Sequence, residues 1–495
     1  MELLQVLISI VPLSSLLIAV LLYYYFKVMM TTDDDDDNNA VQMIGGGGKL
    51  PPGSRGWPLI GESMELLRAG RNGQVEKFFQ DRMSKHSNQA FTTSLFGQSN
   101  MVALCGPEAH KFLFSNEHKL VNSWWPRSVH KLFPTTSRQV REDAMRMRSL
   151  IMPALLKAEA LQRYVGSMDA MARRSVERGW VGKEEVRVFE LVKEYAFRVA
   201  CRLFMSVEDE DLVRRLVRPF GKLAAGIFAV PLDVPGTAYN KAVKASRVIR
   251  EELRGMVQKR SCDHHHHHHQ NGDMLSHMLK INGSETLSDE DVVNKIMGLL
   301  IGGHDTATAV ITCFIKYMAE LPHIYDLVLK EQREIAKLKR PGELLNWDDI
   351  QKMRHTWNVA CEVMRFWAPV QGAFKEALTD FTYAGFFIPK GFKLYWNVNT
   401  THKNPDYFAE PEKFDPWRFE GIGPAPYTYV PFGGGARTCP GKEYARLEIL
   451  VFMHNLVNKY RWEKVIADEK IIVDPMPVPT NGLPIRLYPH ASLRH

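Results

Sequence analysis

A chain of 495 residues with 45% hydrophobic and 24% charged side chains has the material for a sizeable core and too little charge for a disordered polymer. Its net charge of +7 is modest, and no basic cluster with interleaved aromatic residues marks a nucleic-acid surface. The six cysteines, Cys105, Cys201, Cys262, Cys313, Cys361 and Cys439, show no CxxC pairs or short regular spacings, which excludes a disulfide framework and points to a reducing compartment.

Leu3 to Phe26 is an apolar run without a charge, interrupted only by Gln5, Ser9, Pro12, Ser14 and Ser15. About 20 such residues span a bilayer, so residues 1–30 read as an uncleaved transmembrane anchor. A signal peptide is the competing reading, but the run is long, lacks a basic n-region and is followed by no clear cleavage site. Lys27 flanks only its C-terminal end, which places the following domain on the cytosolic side. There the sequons Asn282-Gly-Ser and Asn399-Thr-Thr stay unused. Residues 31–58 form a tether, acidic at Asp33 to Asp37 and glycine-rich at Gly45 to Gly48. The tether ends in the stiff hinge Leu50-Pro-Pro-Gly-Ser-Arg-Gly-Trp-Pro58. Residues 59–495 remain for one catalytic domain.

The spacing predicts a helix over Gln74–Lys85 and β alternation over Ala90–Cys105, ended by Gly106-Pro107. Ser123-Trp-Trp-Pro126 is an aromatic loop, either a wall of an entrance or part of the core. Arg138 to Leu156 reads as a helix carrying Arg146 and Arg148. Helical periods run from Leu161 to Met256, broken at Phe220 to Tyr239. The turn-rich apolar stretch there, Gly226 to Gly236, is expected at the surface, where apolar patches usually touch something. The run His264 to His269 reads as a loop, since a homopolymer offers no defined coordination geometry.

Ser288-Asp-Glu-Asp291 is a capping box that opens an apolar helix running to about Leu321. Its middle reads Gly302-Gly-His-Asp-Thr306, and each glycine costs roughly 1 kcal/mol relative to alanine. Tight helix packing or the close approach of a ligand can justify that cost. Thr306 is expected to bond back to a carbonyl or to water and open the helix locally. Glu362-Val-Met-Arg365 sets opposite charges on one helical face. Ala368 to Phe374 is apolar apart from Gln371 and is expected to line a pocket. Phe381–Ile388 and Lys393–Val398 read as a hairpin around Pro389-Lys390-Gly391. Last comes Phe432-Gly-Gly-Gly-Ala-Arg-Thr-Cys-Pro-Gly441, which sets Cys439 ahead of a helix beginning near Lys442. A thiolate at a helix N-terminus is favoured by the dipole and is a natural iron ligand. Gly433, Gly434 and Gly435 allow close approach to a flat cofactor, with Arg437 reaching an anionic group on its edge. Lys442 and Arg446, on the first turns of that helix, either face an acidic partner or form a solvated helix face.

Phe432, Gly435, Arg437, Cys439 and Gly441 match in type and spacing the haem-ligand loop of the cytochrome P-450 superfamily, and the chain resembles those haem-thiolate monooxygenases. The resemblance runs in family order through the hinge, the Arg148 helix, the central helix, a triad of Glu362, Arg365 and Arg418, and the thiolate loop. It implies a mainly α fold with a small β portion, enclosing one haem b whose iron is held by the Cys439 thiolate. It assigns propionate contacts to Arg437, Arg148 and Lys375, and a proton relay to Asp305 and Thr306. Three positions depart from the family: Ala144 removes a propionate donor, Lys375 loses the bidentate fork of arginine, and Ala307 lacks a second relay hydroxyl. Electrons are expected from NADPH through a separate flavoprotein reductase, since the chain carries no flavin or nicotinamide module.

A narrower resemblance rests on Val370-Gln-Gly-Ala-Phe374, Pro424-Ala-Pro-Tyr427 and the segment Gly441 to His454. These look like plant endoplasmic-reticulum triterpenoid oxidases acting on pentacyclic skeletons such as β-amyrin, commonly at the C-28 methyl. Ala436 and Thr438 depart from the Pro and Met usual there. The partners implied are a reductase, membrane lipid and a hydrophobic terpenoid, with no nucleic acid. The alternatives are hydroxylation of a diterpenoid or sterol, a haem-thiolate isomerase that needs no reductase, and a haem-binding scaffold.

Overall fold

The computed structural model describes residues 48–57, 61–133, 156–266, 273–282 and 288–490. The expected anchor, most of the tether and Arg148 lie outside the described residues. In chain order the elements used below begin with helix α1 (Val75–Lys85), strands β1 (Ala90–Leu95) and β2 (Gln98–Leu104), α2 (Gly106–Ser115) and β3 (Val121–Ser123). Then come α3 (Val165–Gly179), β4 (Glu185–Arg187), α4 (Val188–Met205), α5 (Glu210–Gly226), α6 (Ala238–His266), α7 (Asp289–Glu320) and α8 (Arg354–Phe366). Strands β5 (Gly372–Ala377), β6 (Phe381–Tyr383), β7 (Phe386–Ile388) and β8 (Lys393–Asn397) follow, and α9 (Lys442–Val457) and the C-terminal strands complete the chain. The architecture is mainly α with small sheets, as the sequence implies.

The long helix α7 is the axis. Ser288 Oγ accepts from the Asp291 amide at 3.2 Å while the Asp291 carboxylate accepts from the Ser288 amide at 3.1 Å, the reciprocal pairing that the sequence predicts. Over 32 residues the helix spans about 48 Å at 1.5 Å per residue. Helices α4, α6, α8 and α9 pack along it, burying nearly every apolar side chain it carries from Val292 to Met318. Its apolarity is that of a core helix. The sheet stands to one side in the order β1-β2-β8-β5-β3, with β2 and β8 parallel, Met101 opposite Lys393 and Leu104 opposite Trp396.

Two expectations change. Phe381–Ile388 and Lys393–Val398 are not partners: β6 and β7 make their own hairpin through Ala384 and Gly385, both at positive φ. Strand β8 is buried throughout and pairs with β5 and β2; an apolar run burying both faces belongs in the middle of a sheet. The stretch Gly226 to Gly236 lies largely at the surface, as expected, between buried flanks. Phe220, Leu223 and Tyr239 are fully buried, and Val230 and Val234 carry the exposure. Helix α6 runs on to His266, into the histidine run read as loop. The Asn399 sequon is closed by burial: its side-chain amide donates to Gln371 Oε1 and Asn397 Oδ1, each at 2.7 Å.

The triad fixes where the thiolate loop lies. Arg365 Nε and Nη2 donate to the two oxygens of Glu362 at 2.7 and 2.8 Å, and both side chains are fully buried. Glu362 also accepts from the Asp415 amide at 2.9 Å and faces Arg418 Nε at 3.5 Å. Arg365 Nη1 reaches the His402 carbonyl at 2.8 Å, and His402 Nε2 accepts from the Val430 amide at 3.0 Å. Burial lowers the His402 imidazole to about 3, so the ring stays neutral and keeps that acceptor. Removing one charge from a buried pair strands the other, at a cost of about 3–5 kcal/mol. Glu362→Gln is expected to lose that much stability in urea unfolding; a loss under about 1 kcal/mol would show that the pair does not hold this region.

Candidate active site

Cys439 is exposed, and its loop is held by short-range backbone bonds. Gly433 N donates to Val430 O at 3.0 Å, Thr438 N to Gly435 O at 3.1 Å and Cys439 N to Phe432 O at 2.8 Å. Gly433 and Gly435 sit at φ +65° and +63°, where a Cβ is strained. The glycines do not all serve a cofactor. A Cβ on Gly434 would lie 2.3 Å from Phe114 Cδ2, and one on Gly435 2.2 Å from the Phe114 carbonyl, so these two let the loop press against the end of α2. Gly433 lines the cavity beside the thiol.

That cavity, about 390 Å³, takes Phe432, Gly433, Arg437, Cys439 and Gly441 from the loop and Gly302, Gly303, Thr306 and Ala307 from α7. Met364, Val370 and Trp396 complete a mostly apolar lining. Four of the other cysteines are buried, and burial pushes their thiols upward, Cys313 and Cys361 to about 12. Cys439 alone of the six lines the cavity, just before the positive end of α9. An exposed thiol, an apolar lining and a guanidinium suit a flat apolar group with a metal centre and an anionic edge, and haem b has that chemistry.

Along α7 the two glycines divide the work. Nothing lies within 4 Å of a Cβ placed on Gly302, whereas one on Gly303 would come 2.9 Å from Phe204 Cε2 of α4. Gly302 therefore leaves space in the cavity, and Gly303 allows the helix packing. Thr306 Oγ1 donates to the Gly302 carbonyl at 2.7 Å. Asp305 does not share this wall: successive residues on a helix point about 100° apart, and no hydrogen bond joins Asp305 to Thr306 among the described residues. Its carboxylate meets Lys193 Nζ of α4 at 2.8 Å and His304 Nε2 at 3.2 Å. Burial pushes this carboxyl up, but His304 and Lys193 outweigh it and hold it at about 2.

Arg437 and Lys375, expected at the anionic edge, converge on a residue the sequence did not single out. Lys375 Nζ lies 2.5 Å from Glu117 Oε2 and Arg437 Nε 3.3 Å from Glu117 Oε1. Glu117 is more than 250 positions from both partners, and no local pattern marks it. Lys193 was missed for the same reason. Arg446 pairs weakly with Glu443 at 3.5 Å, and Lys442 is exposed.

Comparison with known proteins gives a consistent result. The family model described as Cytochrome P450 matches residues 51–486. The chain is 58% identical to a β-amyrin 28-monooxygenase of Medicago truncatula, over 90% of this chain and 93% of the relative. It is 57% identical to one of Vitis vinifera, over 89% and 92%. Among solved structures, retinoic acid-bound cyanobacterial CYP120A1 superposes with a TM-score of 0.79 at 28% identity, covering 90% of this chain and all of that one, 100%.

Two substitution experiments test this geometry. Gly303→Ala is expected to destabilise by about 1–3 kcal/mol through overpacking on Phe204, while Gly302→Ala keeps or raises stability by up to about 1 kcal/mol; thermal unfolding reads both, and equal effects would overturn the division of roles. Because the Asp305 pKa is depressed on folding, its charge contributes stability above about 3.8 that is lost as pH falls through about 2. Lys193→Met should move that acid-side loss of stability to higher pH, and an unmoved acid limb would show that Lys193 does not hold the carboxylate.

Proposed function

The chain belongs to the cytochrome P450 family, and from that premise we propose that it oxidises the C-28 methyl of a pentacyclic triterpene of the β-amyrin type. The chain is a haem-dependent oxidoreductase: the haem supplies dioxygen activation, with one oxygen atom entering an unactivated C–H bond and the other leaving as water. The observation that carries the substrate is the similarity, over about nine-tenths of both chains, to β-amyrin 28-monooxygenases of Medicago truncatula and Vitis vinifera. The mostly apolar lining around Val370 and Leu299 supports it, since it suits a hydrocarbon skeleton.

In this reading the Cys439 thiolate holds the iron, and Phe432, Gly435 and Gly441 shape the loop around it. Thr306, donating to the Gly302 carbonyl, keeps a hydroxyl at the cavity wall through which protons pass. Asp305, one position before it and ionised against Lys193 on the side of α4, would join that path only by leaving Lys193 and taking up a proton. Arg437 binds a propionate, as does Arg148. NADPH electrons arrive through a separate flavoprotein reductase, with Lys442 and Arg446 on the face of α9 that meets it.

The domain is anchored by residues 1–30 in the endoplasmic-reticulum membrane and faces the cytosol. Trp57, Met64, Val230 and Val234 are exposed around one corner of the molecule. There Ser63 Oγ accepts from the Phe96 amide at 2.8 Å, and the Phe96 ring meets Phe228 at 5.4 Å. Those side chains enter the headgroup layer.

Yeast making β-amyrin and a plant reductase, given this chain, should accumulate a triterpene oxidised at C-28. Absence of any oxidised triterpene sinks the substrate reading. The reduced carbon monoxide complex should show the red-shifted Soret band of a thiolate ligand, and Cys439→Ser should lose it. Thr306→Ala should consume NADPH with much less product per turnover; tight coupling in that variant would remove Thr306 from the proton path.

A further inference from the structure

We propose that Glu117 is a positioning residue for the anionic edge of the cofactor, gripping Arg437 from its stem side and aiming the guanidinium fork into the cavity. The proposal rests on reading the cavity as a haem site. Glu117 stands where the chain leaves α2, just past Asn116, and bridges to Val121 at the start of β3. Its side chain is 3% exposed. One oxygen, Oε2, takes Lys375 Nζ at 2.5 Å; the other, Oε1, takes Arg437 Nε and Ser123 Oγ, each at 3.3 Å. Lys375 Nζ also meets Ser123 Oγ at 3.2 Å, so lysine, serine and carboxylate form one buried clamp.

A guanidinium carries five N–H donors in a rigid plane. The bond to Glu117 uses the Nε donor only, which fixes the plane and leaves the terminal nitrogens for a ligand. Arg437 lines the cavity, and paired terminal N–H groups are what a carboxylate binds in bidentate fashion. Haem b carries two propionate carboxylates. Lys375, by contrast, is 5% exposed and not among the lining residues: it holds Glu117 and thereby acts on Arg437 through it. The Glu117 charge also offsets one of two cations that would otherwise repel each other at this edge. Its removal makes the site more positive and favours the reduced iron.

The test uses the full-length holoenzyme and Glu117→Gln, which keeps shape and removes charge. Haem transfer to an apoglobin acceptor should become about tenfold faster, the scale of losing a residue that orients a ligand-binding group, and the midpoint potential should move positive. Glu117→Asp keeps the charge but shortens the reach. It should lose haem faster with little change in potential, which separates aim from charge. In the Arg437→Gln background, Glu117→Gln should add little further haem loss, because the two act as one unit. Unchanged haem loss and potential with only a lower melting temperature, additive losses in the double variant, or slower haem loss in Glu117→Gln would each overturn the proposal. A wild-type chain that takes up no haem overturns the haem reading and this inference together, whereas wild-type loading with an unaffected variant overturns this inference alone.

Discussion

The buried pairing of Glu362 with Arg365 is the interaction on which the site depends. Neither side chain reaches water, so every lone pair and N–H must be met inside the protein. That requirement recruits the Asp415 amide, Arg418 and the carbonyl of His402. His402 in turn holds the amide of Val430, and three residues on, the turn at Gly433 begins the descent to Cys439. The thiol is thus placed by a relay of polar groups that starts on a helix and passes through residues with no chemistry of their own. Apolar packing alone would tolerate small shifts of such a loop, whereas directional bonds between buried charges do not.

Against this fixed loop stands α7, whose apolar surface is committed to its neighbours almost everywhere. The break lies on the cavity side, where a Cβ on Gly298 or Gly302 would meet nothing within 4 Å. Gly302 leaves a gap on the cavity side and Gly303, one step round the helix, lets Phe204 in. Thr306 returns its hydroxyl to the carbonyl of the first glycine. The helix therefore opens toward the cavity and closes toward α4 within a single turn, and the charge of Asp305 is taken up on the closed side by Lys193.

Features written in short spacings were legible in the sequence. The Ser288 capping box, the helical charge pair Glu362 and Arg365, and a cysteine between Arg437 and Gly441 each occupy a few consecutive positions, where backbone geometry dictates what the residues do. The two uses of adjacent glycines were both foreseen, but which glycine does which depends on Phe204, far away in the chain. The pairing of β8 with β2 rather than with its sequence neighbour was illegible because alternation reports which face a residue occupies and says nothing of its partner strand. Glu117, Lys375 and Arg437 come from three separate segments that meet only after folding, so no window of sequence contains their relation.

The parallel pairing of β2 with β8 also orders events in time. Met101 lies opposite Lys393, so the open edge of β2 has no partner until nearly three hundred further residues have left the ribosome. At about 5–20 residues per second that wait is roughly 15–60 s. Such long-range strand contacts are slow to close even in a finished chain. The helical half can settle during synthesis, while an unpaired strand edge stays exposed to other nascent chains. The thiol follows β8 in the chain, so no metal can be ligated there before the middle strand of the sheet has been made.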